Sequence, residues 1–255
     1  MVRLVIVTSG SYALGTAVVL RSMADRSRIA WSGAKATVIT LDDLSASNRR
    51  MIESASAYPT EIVPMSDLPA WRFRADILKP HRAINMNKIR VMALPYEGET
   101  CWLMDSDLMC CGDMTPMLQV EPFAAGVNMG RMPPRHHNNR VGFNSGFVIY
   151  RPSMARFEEM QRFADEFYRD SKRLSLGDQH VWNSFMLNRY PREVQYLDLR
   201  WNATSTLAKA YPVAWRDVEP DVRLYHFTQE KPWNSKLADR WMHQWRAIAR
   251  QVRDC

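Results

Sequence analysis

Short apolar runs separated by amphipathic stretches make up most of the first half of the chain. The apolar runs predict β-strands, and stretches with apolar residues three or four positions apart predict α-helices. Strands are expected at residues 3–7, 36–41, 61–63, 100–104, 146–150 and 223–225. Helices are expected at residues 12–23, 45–56, 84–94, 153–168 and 180–187. This alternation predicts a single α/β domain with a Rossmann-like, mostly parallel sheet, followed by a half in which strands and helices mix less regularly.

The composition agrees with one domain of this kind. The chain has 255 residues, of which 46% are hydrophobic, and it shows no linker, repeat or low-complexity segment. No apolar stretch is long enough to cross a bilayer, and the apolar start of the chain is too short for a signal sequence. The four cysteines show neither C-x-x-C spacing nor a disulfide pattern. A cytoplasmic protein is therefore expected.

The charge balance predicts an anionic partner. A formal net charge of +7 and a pI near 9.4 favour a nucleotide diphosphate, an acidic acceptor, a membrane surface or a nucleic acid. Zinc-ligand spacing, an aromatic RNA-binding signature and a helix-turn-helix pattern are all missing from the sequence, which disfavours nucleic acid.

An acidic pair follows the apolar run at 100–104. Asp105 and Asp107, with Ser106 between them, stand at the carboxyl end of a predicted strand, where open α/β sheets bind ligands. Two carboxylates in this position can hold a divalent ion that also contacts phosphate oxygens. The alternative is a simple turn, because aspartate is favoured there by hydrogen bonds to nearby backbone.

Four further motifs accompany this pair. They are Asn144-Ser145-Gly146, Gly177-Asp178-Gln179, His226-Phe227 and Lys231-Pro232-Trp233. Together with the Asp-x-Asp pair, their order and spacing resemble the family-8 glycosyltransferases, the group that contains glycogenin. The resemblance covers residues 3–233 and implies a glycosyltransferase domain at residues 1–233 with a GT-A type fold. It also implies metal-dependent transfer of a hexose from a UDP-sugar to a hydroxyl acceptor, with retention of configuration.

The resemblance implies roles for the charged motif residues. Asp105, Asp107 and His226 are expected to be metal ligands, and two carboxylates with one imidazole suit manganese, with magnesium as the other candidate. Lys231 is expected to contact the phosphates of the leaving nucleotide, where it stabilises developing charge. A buried, hydrogen-bonded histidine and a solvated lysine are the alternatives.

Other residues are expected to bind or act on the donor. The resemblance implies donor contacts for Thr8, Ser9, Tyr12, Lys79, Lys88, Ser106, Asn144, Ser145 and Asn202. Tyr12 offers a ring to stack on uracil, and Arg82 is an alternative to either lysine. Asp178 and Gln179 are expected nearest the anomeric carbon as the catalytic pair. A capping role at the helix start is a second expectation for Asp178.

The chain departs from the family pattern at several positions. Ser175 stands where the glycogenin-like pattern has an aspartate, and the segment 226–231 is shorter than usual and lacks a glycine. Lys209 stands where glycogenin carries its self-glucosylated tyrosine, and Tyr211 follows two residues later, which favours an external acceptor. A nucleotidyltransferase, a non-catalytic nucleotide-sugar-binding relative and a metal-dependent phosphate hydrolase remain as alternatives.

Two predicted helices have one-sided patterns. One has an apolar stripe, expected in the core, formed by Met154, Phe157, Met160, Phe163 and Phe167. The other lies in the tail, 234–255, and is basic and amphipathic. Its apolar residues are Trp233, Leu237, Trp241, Trp245 and Ile248, and its basic residues are Lys236, Arg240, Arg246, Arg250 and Arg253. Such a helix either packs on its own domain or makes a peripheral membrane contact.

Overall fold

The computed structural model describes residues 1–41, 44–72, 85–128, 141–169 and 177–254. These residues contain ten β-strands and seven α-helices. The strands are β1 (Val2–Thr8), β2 (Lys35–Thr40), β3 (Thr60–Pro64), β4 (Thr100–Met104), β5 (Leu108–Cys110), β6 (Ala124–Val127), β7 (Phe143–Tyr150), β8 (Gln195–Leu197), β9 (Ala203–Thr204) and β10 (Leu224–His226). The helices are α1 (Ala13–Arg26), α2 (Ala46–Ala55), α3 (Met154–Phe167), α4 (Asp178–Arg189), α5 (Ser205–Ala210), α6 (Pro212–Val218) and α7 (Arg240–Arg253).

The described strands form a large sheet and a small one. The large sheet has seven strands in the order β3-β2-β1-β4-β7-β6-β8, and the small one has the order β5-β10-β9. Strands β3, β2, β1 and β4 are parallel, β7 is antiparallel to both of its neighbours, and β8 is parallel to β6. This confirms the predicted α/β class, with a Rossmann-like parallel half followed by a mixed half.

The large sheet separates two hydrophobic cores. Successive side chains of a strand point to opposite faces, so Trp102 in β4 belongs to one core and Leu103 to the other. The first core includes residues of α1, α2 and α7, and the second includes residues of α3 and α4. Because both faces of the sheet are covered, its central strands are continuous apolar runs in the sequence.

Three predicted elements differ in detail from the structure. The segment predicted as an α-helix at 84–94 contains a 3₁₀ helix at Asn87–Ala93. Strand β7 begins at Phe143, before the predicted start at residue 146, so the Asn144-Ser145 pair lies within the strand. The middle of the α3 stripe is buried, but Met154 and Phe167 are each 38% exposed because they lie at the two ends of the helix.

The C-terminal helix α7 packs onto the rest of the domain. The carboxylate of Asp239 accepts hydrogen bonds from the backbone N–H groups of Trp241 and Met242 and so caps the helix start. The apolar side of α7 packs against α1 and is buried, whereas Leu237 precedes the helix and is exposed. Three residues of the predicted apolar stripe, Trp241, Trp245 and Ile248, therefore lie inside the fold. Within the described ranges, none of the helices has both the length and the apolar character needed to span a bilayer.

Candidate active site

The Asp-x-Asp turn and the distant His226 are brought together by the antiparallel pairing of β5 with β10. Asp105 directly follows β4, and the chain enters β5 immediately after Asp107. The backbone N–H of Asp105 donates to the carbonyl of Gly146 at 2.8 Å, and that of Phe227 donates to the carbonyl of Asp107 at 3.0 Å. The acidic turn is thus attached to both sheets, at the carboxyl end of β4.

Asp105, Asp107 and His226 offer three ligand atoms that lie within 4.8 Å of one another. The Nε2 atom of His226 is 3.6 Å from Oδ2 of Asp105 and 3.3 Å from Oδ1 of Asp107. The other oxygen of each carboxylate faces a lysine. Lys88 donates to Oδ1 of Asp105 at 2.6 Å, and Lys231 donates to Oδ2 of Asp107. Each carboxylate therefore has one oxygen towards the imidazole and one towards an ammonium group.

Burial and neighbouring charges act differently on the two carboxylates. Burial raises the pKa of Asp105, and the negative charge of Asp107 adds to this effect although Lys88 opposes it. Burial also acts to raise the pKa of Asp107, but His226 and Lys231 outweigh it and hold that pKa below its usual range. The pKa of Lys88 is raised despite its burial, because Asp105 favours the ammonium form. Coupled, buried charges of this kind are typical of functional sites.

Lys88 joins the acidic turn to the predicted catalytic segment. Its ammonium group donates to the backbone carbonyl of Ser145 at 2.7 Å and lies 3.4 Å from the carboxylate of Asp178. The sequence predicted a donor contact for Lys88. In the structure Lys88 lines the cavity, and its ammonium group meets protein acceptors in the wall between Asp105 and Asp178.

The predicted catalytic pair lies at the start of α4. The hydroxyl of Ser145 donates to Asp178 at 2.9 Å, and the backbone N–H of Ser145 donates to Oε1 of Gln179 at 3.2 Å. The expected capping role of Asp178 is wrong, because Gly177 occupies the N-cap position and Asp178 is the first helical residue. The carboxylate of Asp178 turns towards β7 instead of its own helix.

The opening loop after β1 forms another part of the site. The hydroxyl of Thr16 donates to Thr8 at 2.8 Å and lies 3.0 Å from the hydroxyl of Ser106. These contacts hold the acidic turn against the start of α1. Tyr12 is 39% exposed, and its ring meets Trp233 edge-on with ring centroids 5.1 Å apart. Thr16 was not predicted as a site residue from the sequence. The available signal was a polar residue on the buried side of the first helix.

Asn202 lies behind these groups and is only 3% exposed. Its Nδ2 donates to Oδ1 of Asn144 at 2.9 Å, and its Oδ1 is 3.1 Å from Nδ1 of His226. Both ends of the amide are engaged within the protein. The predicted sugar contact therefore finds no support in the position of Asn202.

The predicted residues converge on one cavity of about 550 Å³, a size typical of small-molecule sites. Those that line it are Thr8, Ser9, Tyr12, Lys88, Asp105, Ser106, Asp107, Asn144, Ser145, Asp178, Gln179, His226 and Lys231. Lys79, its alternative Arg82, and Ser175 lie outside the described residues. The lining also includes four polar residues that no sequence motif indicated, namely Asn85, Asn128, His180 and Thr228.

A sequence model of the family described as "Glycosyl transferase family 8" matches residues 3–236. Glycogenin-1 of Oryctolagus cuniculus is 23% identical over 231 residues, which are 89% of this chain and 63% of that protein. Glycogenin-1 of Mus musculus is 22% identical over a stretch of the same length. The chain thus spans less than two thirds of the length of these relatives.

Solved structures share the fold. The galactosyltransferase LgtC, in complex with donor and acceptor sugar analogs, superposes with a TM-score of 0.73 and 15% identity, covering 98% of this chain and 95% of that one. Mouse xyloside xylosyltransferase 1 gives a TM-score of 0.66 and 14% identity, covering 91% of this chain and 99% of that one. At these identities the similarity establishes the architecture alone.

Proposed function

This chain belongs to glycosyl transferase family 8, and from that premise we propose that it is a metal-dependent, retaining hexosyltransferase using a UDP-sugar and an external hydroxyl acceptor. One observation carries the proposal. The cluster of Asp105, Asp107 and His226 lies in the wall of the cavity described above, which Lys231 and Asp178 also line. A site for a nucleotide diphosphate sugar needs metal ligands, a positive charge for the phosphates and a polar group for the sugar close together.

Asp105, Asp107 and His226 would hold the ion. Their donor set fits Mn²⁺, with Mg²⁺ as the alternative, because carboxylates favour hard ions and an imidazole favours the transition metal. When bound, the ion neutralises charge on the two phosphates of the leaving nucleotide. The contacts of Lys88 and Lys231 with the outer carboxylate oxygens orient the two aspartates beforehand.

Lys231 would act on the leaving group. Its side chain is 29% exposed and reaches Asp107 from the segment that follows β10. A compact ammonium group in this position stabilises negative charge that develops on the phosphates as the glycosidic bond breaks. Thr8, Ser9 and Tyr12 line the same cavity and are proposed to hold the base and ribose.

Asp178 and Gln179 are proposed to face the transferred sugar. Ser145 fixes both side chains through the bonds described above, and Lys88 lies beside the carboxylate. A carboxylate and an amide held in this way can bind sugar hydroxyls and stabilise positive charge that develops at the anomeric carbon.

The acceptor is proposed to be a separate carbohydrate or other hydroxyl compound. LgtC, which shares the fold, was determined in complex with both donor and acceptor sugar analogs, which supports a separate acceptor for this chain. Lys209 occupies the position of the self-glucosylated tyrosine in the glycogenin-like pattern, and it has no hydroxyl group to receive a sugar.

The decisive experiment measures UDP release from a panel of UDP-sugars in the presence of Mn²⁺ or EDTA. We expect release from one sugar with Mn²⁺, none with EDTA, and at least about 100-fold slower release by Asp107→Asn, because a metal ligand is lost. The matched control is Asp25→Asn, the same chemical change at an exposed position, which should behave like the unmodified protein. Proton NMR before mutarotation should show the released sugar with the anomeric configuration of the donor.

Other outcomes have definite meanings. Release that is insensitive to EDTA would contradict the metal-dependent assignment. If no donor is hydrolysed even with carbohydrate acceptors present, while calorimetry still detects binding of a UDP-sugar, the chain is a non-catalytic relative.

A further inference from the structure

A buried chain of amide groups lies behind the metal cluster. The backbone N–H of Gly146 donates to Oδ1 of Asn144 at 2.9 Å, and Nδ2 of Asn202 donates to the same oxygen at 2.9 Å. The Oδ1 atom of Asn202 is 3.1 Å from Nδ1 of His226. The residues Asn144, Asn202 and His226 are 9%, 3% and 4% exposed, so water does not compete freely for these bonds.

The direction of each bond follows from one fixed donor. A backbone N–H can only donate, so the atom of Asn144 that faces Gly146 must be its carbonyl oxygen. That oxygen can only accept, so the atom of Asn202 that meets it must be the amide nitrogen. The carbonyl oxygen of Asn202 is then left for His226, and Nδ1 of the imidazole must carry a hydrogen. The lone pair of the neutral ring consequently lies on Nε2, the atom that faces Asp105 and Asp107.

Two glycines make room for this arrangement. A Cβ atom at Gly146 would lie 2.1 Å from Cε1 of His226, and one at Gly126 would lie 2.8 Å from Cβ of Asn202. Gly126 and Gly146 belong to β6 and β7, which are neighbours in the large sheet. The sheet is therefore bare of side chains at the two places where Asn202 and His226 pack against it.

We propose that Asn144 and Asn202 are positioning residues, which hold His226 in the Nδ1–H tautomer and in the orientation that binds the metal. This gives the Asn-Ser-Gly motif a role in the metal site in place of the sugar contact that the sequence indicated for its asparagine. The inference rests on the proposed function, because it takes His226 to be a metal ligand. Partners of this kind fix the tautomer and the basicity of metal-binding histidines in many proteins.

The experiment measures Mn²⁺ affinity directly, without nucleotide or activity, from the electron paramagnetic resonance signal of free Mn²⁺. Asn202→Leu removes the acceptor at nearly constant volume, and we expect the Kd for Mn²⁺ to rise about 10- to 100-fold. Asn202→Asp keeps an oxygen for the Nδ1–H group but replaces the Nδ2 donor to Asn144 with a second acceptor, so we expect a smaller rise in the Kd than for Asn202→Leu. Asn188→Leu, whose amide donates to the carbonyl of Ser184 in its own helix, is the matched control and should leave the Kd unchanged.

The outcomes separate the inference from the proposed function. If the unmodified protein binds no Mn²⁺ or Mg²⁺, the metal site itself is wrong. If it binds Mn²⁺ and Asn202→Leu binds it equally well, the positioning role is wrong, and a raised KM for the UDP-sugar in that variant would restore the sugar contact. Circular dichroism checks the fold, and Asn202→Ala, which adds no bulk, replaces the leucine variant if that variant does not fold.

Discussion

At the level of single residues, Lys88 balances the negative charge of carboxylates in the site. Its side chain is only 11% exposed, and its ammonium group lies within 3.4 Å of carboxylates on both Asp105 and Asp178. Removing one partner of a buried ion pair leaves an uncompensated charge in a medium of low polarity. Removal of Lys88 is therefore expected to destabilise the folded state.

We predict that Lys88→Met lowers the free energy of unfolding by about 3 kcal/mol, because two carboxylates lose their counterion. In a double variant with Asp178→Asn, part of this loss should return, since one of the two negative charges is gone. Urea denaturation followed by circular dichroism measures both quantities. Lys209→Met, at an exposed position, is the control, and a loss from Lys88→Met no larger than that of this control would contradict the prediction.

The identities of several site residues could be predicted because their signals are local. Asp105 and Asp107 stand directly after an apolar run, so a strand end with two carboxylates is visible without a structure. The role of Asn202 could not be predicted in this way. Its amide orientation depends on a bond that begins at the backbone of Gly146, 56 positions earlier in the chain, and sequence spacing carries no information about such a contact.

At the level of elements, a buried arginine links strands of the parallel half of the sheet, at the end opposite the site. Arg3 in β1 donates to Glu61 in β3 at 2.6 Å and to Glu99, just before β4, at 2.9 and 3.1 Å. It also donates to the hydroxyl of Thr37 in β2 at 3.0 Å. One side chain of β1 thus contacts β2, β3 and the residue that precedes β4.

This network predicts a pH dependence of stability. The hydrogen bond from Arg3 holds the pKa of Glu99 in the folded protein below its usual range. Ionised Glu99 therefore contributes to the free energy of unfolding above its unfolded pKa of about 4.3, and this contribution is lost as the pH falls through the pKa of the folded state. Glu99→Gln should cost about 1 kcal/mol at pH 7. It should also make the decline in the free energy of unfolding below about pH 5 shallower.

Urea unfolding at a series of pH values tests this prediction. Glu97→Gln, two residues away and exposed, is the control and should follow the unmodified protein. If the free energy of unfolding falls equally steeply with pH for Glu99→Gln and the unmodified protein across the acidic range, the Arg3–Glu99 interaction does not stabilise the fold.

Six of the ten described strands were predictable because each carries its own apolar run, whereas β5, β6, β8 and β9, which have four residues or fewer, were not. The conformation of the segment at Asn87–Ala93 was not predictable either. Its apolar spacing is typical of an α-helix, but the structure forms a 3₁₀ helix. Arg90 donates to the carbonyls of Pro69 and Met65 at 2.8 and 2.6 Å, and Lys88 is drawn towards Asp105. Tertiary contacts on both sides thus determine the backbone conformation of this segment. Helix propensity is a local property of the sequence and does not predict them.

At the level of the whole molecule, the site exists because two sheets meet. The large sheet supplies the acidic turn and the Asn-Ser-Gly strand, and the small sheet brings in His226 from the last quarter of the chain. No periodicity in the sequence predicts this meeting, so only the family resemblance placed the histidine beside the aspartates. The fold class, by contrast, followed from the alternation of strands and helices in the first half.

The C-terminal helix supports this assembly from outside. Trp245 in α7 is 2% exposed and lies 5.9 Å from the ring of Trp233, which in turn meets Tyr12 at the edge of the cavity. Trp233 follows Lys231 by two residues. The packing of α7 therefore determines how firmly the lysine segment is held.

We predict that Trp245→Ala lowers the free energy of unfolding by about 3–5 kcal/mol, because it leaves a large cavity between α7 and the domain. If the proposed donor site is correct, the KM for the UDP-sugar should also rise several-fold, since Trp233 loses its support. Arg250→Ala, on the exposed side of the same helix, should change the free energy of unfolding by no more than about 0.5 kcal/mol. Urea denaturation and donor kinetics measure the two effects. Unchanged stability of Trp245→Ala, together with weaker binding to anionic phospholipid vesicles, would mean that the apolar side of α7 serves a membrane surface and not the fold.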